Sequence, residues 1–165
     1  MAVSRSRVRR RPQEGLLAVQ CAAILVGSLL LIVGTLGFIP GITTGLDSLQ
    51  LSGPRSEAAV FGVFEISVLH NLLNVAVGVA GLVLASSYAR ARAYLLLGGA
   101  LYLGLWVFGL VIDHESPANV LPVNNADNWL HLGLGVAMVV LGLTLAGARL
   151  PRGARGEILV PPGES

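Results

Sequence analysis

The sequence predicts an all-α fold, a transmembrane four-helix bundle built from two similar helical hairpins. Three observations predict it. Four apolar stretches each approach the 20 or so helical residues needed to cross a bilayer core of about 30 Å. The arginines fall almost entirely in alternate loops. The second and fourth stretches repeat one pattern of polar and small residues. Composition agrees: 54% of the residues are hydrophobic and 12% charged, too few polar side chains to clothe a soluble domain.

The 165 residues make one domain. A basic arm at 1–15 precedes a membrane domain at 16–148, and a Pro/Gly-rich tail at 149–165, expected to be disordered, follows it. The spans fall at about 16–39, 60–88, 93–112 and 128–148. The first is too long for the apolar core of a cleaved signal peptide, and no small-x-small site follows it. Its Cys21 is the single cysteine, so no intrachain disulfide forms, and the thiol is expected to pack as a small hydrophobe.

Orientation comes from the arginines, which supply all 11 basic residues. Five precede the first span, Arg90 and Arg92 join the second to the third, and Arg149, Arg152 and Arg155 follow the fourth. Only Arg55 falls on the other side. The positive-inside rule then puts both termini in the cytoplasm and the protein in the plasma membrane. The outer side holds Asp47, Glu57, Glu65, Asp113, Glu115 and Asp127, with His70, His114 and His131. The mixed segment 56–65 is expected to start the second helix at headgroup level. The loop at 113–126 carries Pro117 and Pro122 and cannot be regular helix. The short inner loop around Arg90 predicts that spans two and three are antiparallel neighbours.

Setting Asn71 against Asn128 aligns Gly78-Val79-Ala80 with Gly135-Val136-Ala137. Steps of three and four residues share a helix face. On that face span two carries Ser67, Asn71, Asn74, Gly78, Gly81 and Ala85, and span four carries Asn128, His131, Gly135, Met138 and Gly142. Each stripe is polar at its outer end and small towards the inner end. Span one adds Gln20, Gly27, Gly34 and Gly41 at a seven-residue step, and span three adds Gly98, Tyr102, Trp106 and Gly109. Small residues let helices approach closely, so Gly27, Gly34, Gly78, Gly81, Gly135 and Gly142 are expected at contacts, with the hairpins packed on their small faces. No repeat is claimed between spans one and three.

Residues 38–44 (FIPGITT), 62–71 (GVFEISVLHN) and above all 122–131 (PVNNADNWLH) resemble a known family, the domain of unknown function numbered 4383. Its members are small membrane proteins common in actinobacteria. The resemblance covers roughly residues 13–148. It implies a four-helix membrane protein and assigns no activity. The family often carries His where this chain has Asn74.

The candidate site is a polar cluster of His70, Asn71, Asn74, Asn128 and His131 in the outer half of the bundle. It serves either as interhelical hydrogen bonding or as a proton relay, since ionisable groups inside a membrane usually have a purpose. His70, His114, His131 and nearby carboxylates are metal-ligand types, but no ligand spacing such as H-E-x-x-H occurs. A haem between His70 and His131 would lack a second histidine pair. No metal or cofactor is expected. Asp127 is expected to cap the fourth helix, Trp129 to mark the outer interface, and Tyr88 and Tyr94 the inner one. Glu65 is placed at the outer interface. No G-x-S-x-G or phosphate-binding motif occurs, so no enzyme is expected. The arginines are too dispersed for nucleic acid. The expected role is a structural or partner-binding envelope component, with lipid and a membrane protein or second copy as partners. The alternative is a small transporter or redox component using the His/Asn cluster.

Overall fold

The computed structural model describes residues 18–145. The expected basic arm, the tail and the span ends at 16–17 and 146–148 lie outside the described residues. Among these, the helices are α1 (Ala18–Leu36), α2 (Val68–Leu84), α3 (Tyr88–Val111) and α4 (Asn125–Thr144). The fold is an all-α bundle. Helices α1, α3 and α4 are long and apolar enough to cross a membrane, and α2 is a shorter apolar helix of 17 residues.

The bundle is two hairpins, α1 with α2 and α3 with α4. Glycine decides this pairing. A Cβ on Gly27 would stand 2.8 Å from the Gly78 carbonyl oxygen, and one on Gly78 would stand 2.5 Å from Leu31 N. In the second hairpin a Cβ on Gly99 would stand 2.9 Å from the Gly135 carbonyl oxygen, and one on Gly135 would stand 2.9 Å from Leu103 N. Only hydrogen fits at such backbone crossings, and close packing is what joins helices where lipid is as apolar as the helix. Small residues therefore mate within each hairpin, which corrects the expectation that the hairpins meet on their small faces. Contact between α2 and α3 is slight for the same reason. Their short link turns the chain, but each helix is already held at its own glycine crossing. Gly34 and Gly81 extend the first crossing, and Gly142 extends the second against Leu95 and Leu96. Gly41 takes no part: it sits past the end of α1 at φ +86°, in open space.

The two hairpins repeat in register. Ser67 caps α2 by accepting from His70 N, and Asn124 caps α4 by accepting from Asp127 N. Counting from either cap, an asparagine (Asn71, Asn128) and then a glycine (Gly78, Gly135) fall at matching positions. Gly27 and Gly99 match as well, so the repeat extends to α1 and α3. Asn124, not Asp127, is the cap of α4; Asp127 closes a reciprocal capping box with it, because its carboxylate accepts from Asn124 N at 3.0 Å.

A small antiparallel sheet roofs the end of the bundle opposite the α2–α3 link, with strands β1 (Thr43–Thr44), β2 (Ala59–Val60) and β3 (Phe64–Glu65) in that order. The second helix therefore does not begin at residue 60 as expected. Val60 and Ile66 bury with Ala58 against Ile42, Leu49 and Phe64, and Phe61 and Gly62 turn the chain at φ 55° and 67°. The N–H groups that open α2 have no partner within the helix. Loop carbonyls supply one: Val68 N donates to the Gln50 oxygen and Leu69 N to the Leu51 oxygen, both at 3.0 Å.

The core between the helices holds Val19, Ala23, Leu30, Leu95, Tyr102 and Met138. Two expectations fail there. Tyr94 is buried rather than interfacial, because its ring fills the space left by Gly81. Cys21 is exposed, on the outward face of α1, rather than packed inside. That outer face is apolar, with Leu25 71% exposed and Leu97 72% exposed, as expected of helices that meet lipid.

Candidate functional site: a buried histidine pair under the outer cap

His70 lies in the first turn of α2 and His131 in the second turn of α4, so both hang from the outer end into the space between the hairpins. Their ring centroids are 5.6 Å apart, tilted at 48°. The ring of Tyr102, from α3, lies 5.7 Å from that of His131. The Tyr102 hydroxyl donates to Asn74 Oδ1 at 2.8 Å. Three helices thus converge on one point through side chains that are all nearly or fully buried, His70 to 4% and His131 to 2% exposure.

Of the expected cluster, the structure brings together His70, Asn74 and His131. Asn71 and Asn128 turn instead to the helix paired with their own. The Asn71 amide stands over Gly37, and the Asn128 amide over Gly109. Asn128 Nδ2 donates to the Gly109 carbonyl at 3.1 Å, closing the end of α3. The matching Asn71 makes no such bond; both its amide atoms are buried without a protein partner. So are His70 Nδ1, His131 Nδ1 and Asn128 Oδ1. Buried polar groups are nearly always paired, and five such atoms in one region set it apart from ordinary packing.

The roof is tied down by the start of α4. Asp127, only 2% exposed, accepts from Glu65 N at 3.1 Å as well as from its cap. Asn124 Nδ2 donates to the Val63 carbonyl at 2.7 Å. Asp127 therefore sits one turn outward of His131, between the rim and the pair. Glu65 is at that rim. Burial pushes its carboxyl above the ordinary range, opposed by His114 and reinforced by Glu115.

A model of one protein family covers residues 20–144, from the start of α1 to the end of α4. The chain belongs to this family, described as Domain of unknown function (DUF4383). No curated protein and no solved structure matches it. Within this DUF4383 chain, sequence reasoning missed Tyr102 as the third member of the site and Asp127 as the tie to the roof. Tyr102 was placed correctly on the small face of its helix; its reach to Asn74 depends on how the hairpins dock, which periodicity does not encode. Among the described residues no group of three or more His, Cys, Asp or Glu is placed to hold a metal.

Proposed function

We propose that this DUF4383 protein is a proton-conducting membrane protein that crosses the plasma membrane four times with both termini in the cytoplasm. The observation that carries the reading is the His70–His131–Tyr102 convergence, buried and with an unpartnered nitrogen on each imidazole. An imidazole can take a proton at one ring nitrogen while giving one up from the other, and ionisable groups inside a membrane mark proton and ion paths. A purely structural cluster is expected to satisfy its own polar atoms, since each one left bare costs stability. The arginine distribution supports the orientation, and α2, about 26 Å long at 1.5 Å per residue, is at the short end of the range for a span.

The test is proton flux into vesicles that hold the purified full-length chain and a trapped pH dye, driven by a potassium diffusion potential. Flux above that of empty vesicles is expected. His131→Asn should abolish it while leaving the melting temperature nearly unchanged, because Asn74 already occupies the matching position of the other hairpin. Absence of flux in the unaltered protein, or flux indifferent to both His131→Asn and His70→Asn, would refute the reading.

A further inference from the structure

Tyr94 and Tyr102 lie eight residues apart on α3, with Gly98 midway between them. Four-residue steps keep all three on one face, and eight residues separate the two tyrosines by about 12 Å along the axis. Tyr102 belongs to the histidine site. Tyr94 is buried in the inner half, and its hydroxyl has no protein partner. It rests where the helices of the other hairpin cross: a Cβ on Gly81 would stand 2.7 Å from the Tyr94 hydroxyl and 2.8 Å from Gly27 Cα. Around it the inner end turns polar again, with Gln20 Nε2 donating to the Ala85 carbonyl at 2.8 Å and Arg92 Nε to the Gly142 carbonyl at 3.4 Å.

Between the two hydroxyls the interior is apolar. Met138, wholly buried, reaches from α4 so that its methyl would stand 2.5 Å from a Cβ on Gly98. Leu30 and Leu95 are buried in the same core. Methionine is unbranched and adapts its shape readily, and hydrophobic constrictions of this kind gate by wetting and drying.

We propose that Tyr94 is a second, inner proton station and that Met138 is the gate between it and the histidine pair. This rests on the proton-conduction reading above. In passage the Tyr94 hydroxyl takes a proton on its oxygen from a hydronium on the outer side, which leaves as water, while its own proton passes to a water on the inner side. It ends neutral with one hydrogen, and no redox partner is required. Met138 and Gly98 belong to the same hairpin, so a swing of the Met138 side chain off Gly98 would open the constriction without breaking either glycine crossing.

The same vesicle assay tests it. Met138→Ala should raise proton flux severalfold, whereas Leu97→Ala, on the exposed face of α3, should leave it unchanged. Tyr94→Phe keeps the ring against Gly81 and removes only the hydroxyl; it should lower flux severalfold at an unchanged melting temperature. If Met138→Ala fails to fold, Tyr94→Phe decides. Flux that depends on His131 but is untouched by Tyr94→Phe and by any folded Met138→Ala would overturn the inner route while leaving the histidine site standing. No flux in the unaltered protein would overturn both.

Discussion

Gly78 and Val79 are neighbours with opposite surroundings, and this contrast sets the most direct expectation for a single residue. A methyl on Gly78 would meet Leu31 N and Leu31 Cα, both backbone atoms at under 3.0 Å that no side-chain rotation can move aside. Val79 is 45% exposed. Gly78→Ala and Gly135→Ala should each cost about 1–3 kcal/mol, the range for overpacking a filled interior, and Val79→Ala much less. Thermal unfolding in detergent measures it, and equal losses would show that the crossings are not where the hairpins are held. Glu65 gives a pH-dependent expectation. Its carboxyl is raised in the folded state, chiefly by burial. Folding is therefore favoured when it is protonated, and that advantage is lost as pH rises through the raised value. Glu65→Gln should raise the melting temperature at pH 8 and change little at pH 3, where both side chains are neutral.

Among the elements, the roof over the site has the least secure hold, because its strands are two residues each and lean on the first turn of α4. Asn124 both caps that helix and donates to Val63. Asn124→Ala should cost about 1–2 kcal/mol as a lost cap. It should also speed amide exchange at residues 59–66 while α1 and α3 stay protected; unchanged exchange there would mean that the roof stands by itself. The helices were legible in the sequence, because a run of apolar residues leaves few other structures inside a membrane. The roof was not. Residues 56–65 mix apolar and charged side chains in a stretch too short for any period to declare itself, and the helix starts after Ser67 for a local reason, a hydroxyl placed to accept from His70 N. The site was half legible. The three- and four-residue steps put His131 and Asn74 on packed faces at the same end of the bundle, but Asn71 and Asn128 share those faces and carry no sign of turning elsewhere. Only the glycine crossings reveal that Gly37 and Gly109 open a slot for each asparagine within its own hairpin.

At the scale of the molecule, the pairing of α1 with α2 and of α3 with α4 makes each hairpin a unit whose closest contacts are internal. The two units are joined by the stretch between α2 and α3 and, across the interior, by the Tyr102–Asn74 hydrogen bond and the seat of Tyr94 on Gly81. Expressed together as separate chains, 1–86 and 87–165 should both reach the membrane and purify as one complex. Tyr102→Phe combined with Tyr94→Ala should weaken that complex while sparing the full-length chain. Halves that never associate would argue that the link between α2 and α3 is indispensable. This arrangement also bears on how the protein is made. A nascent chain leaves the ribosome one helix at a time, and the first hairpin can close on its glycines before α3 has been synthesised. Because the closest backbone contacts are within each pair, what remains for the finished polypeptide is to bring two such halves together around a histidine from each.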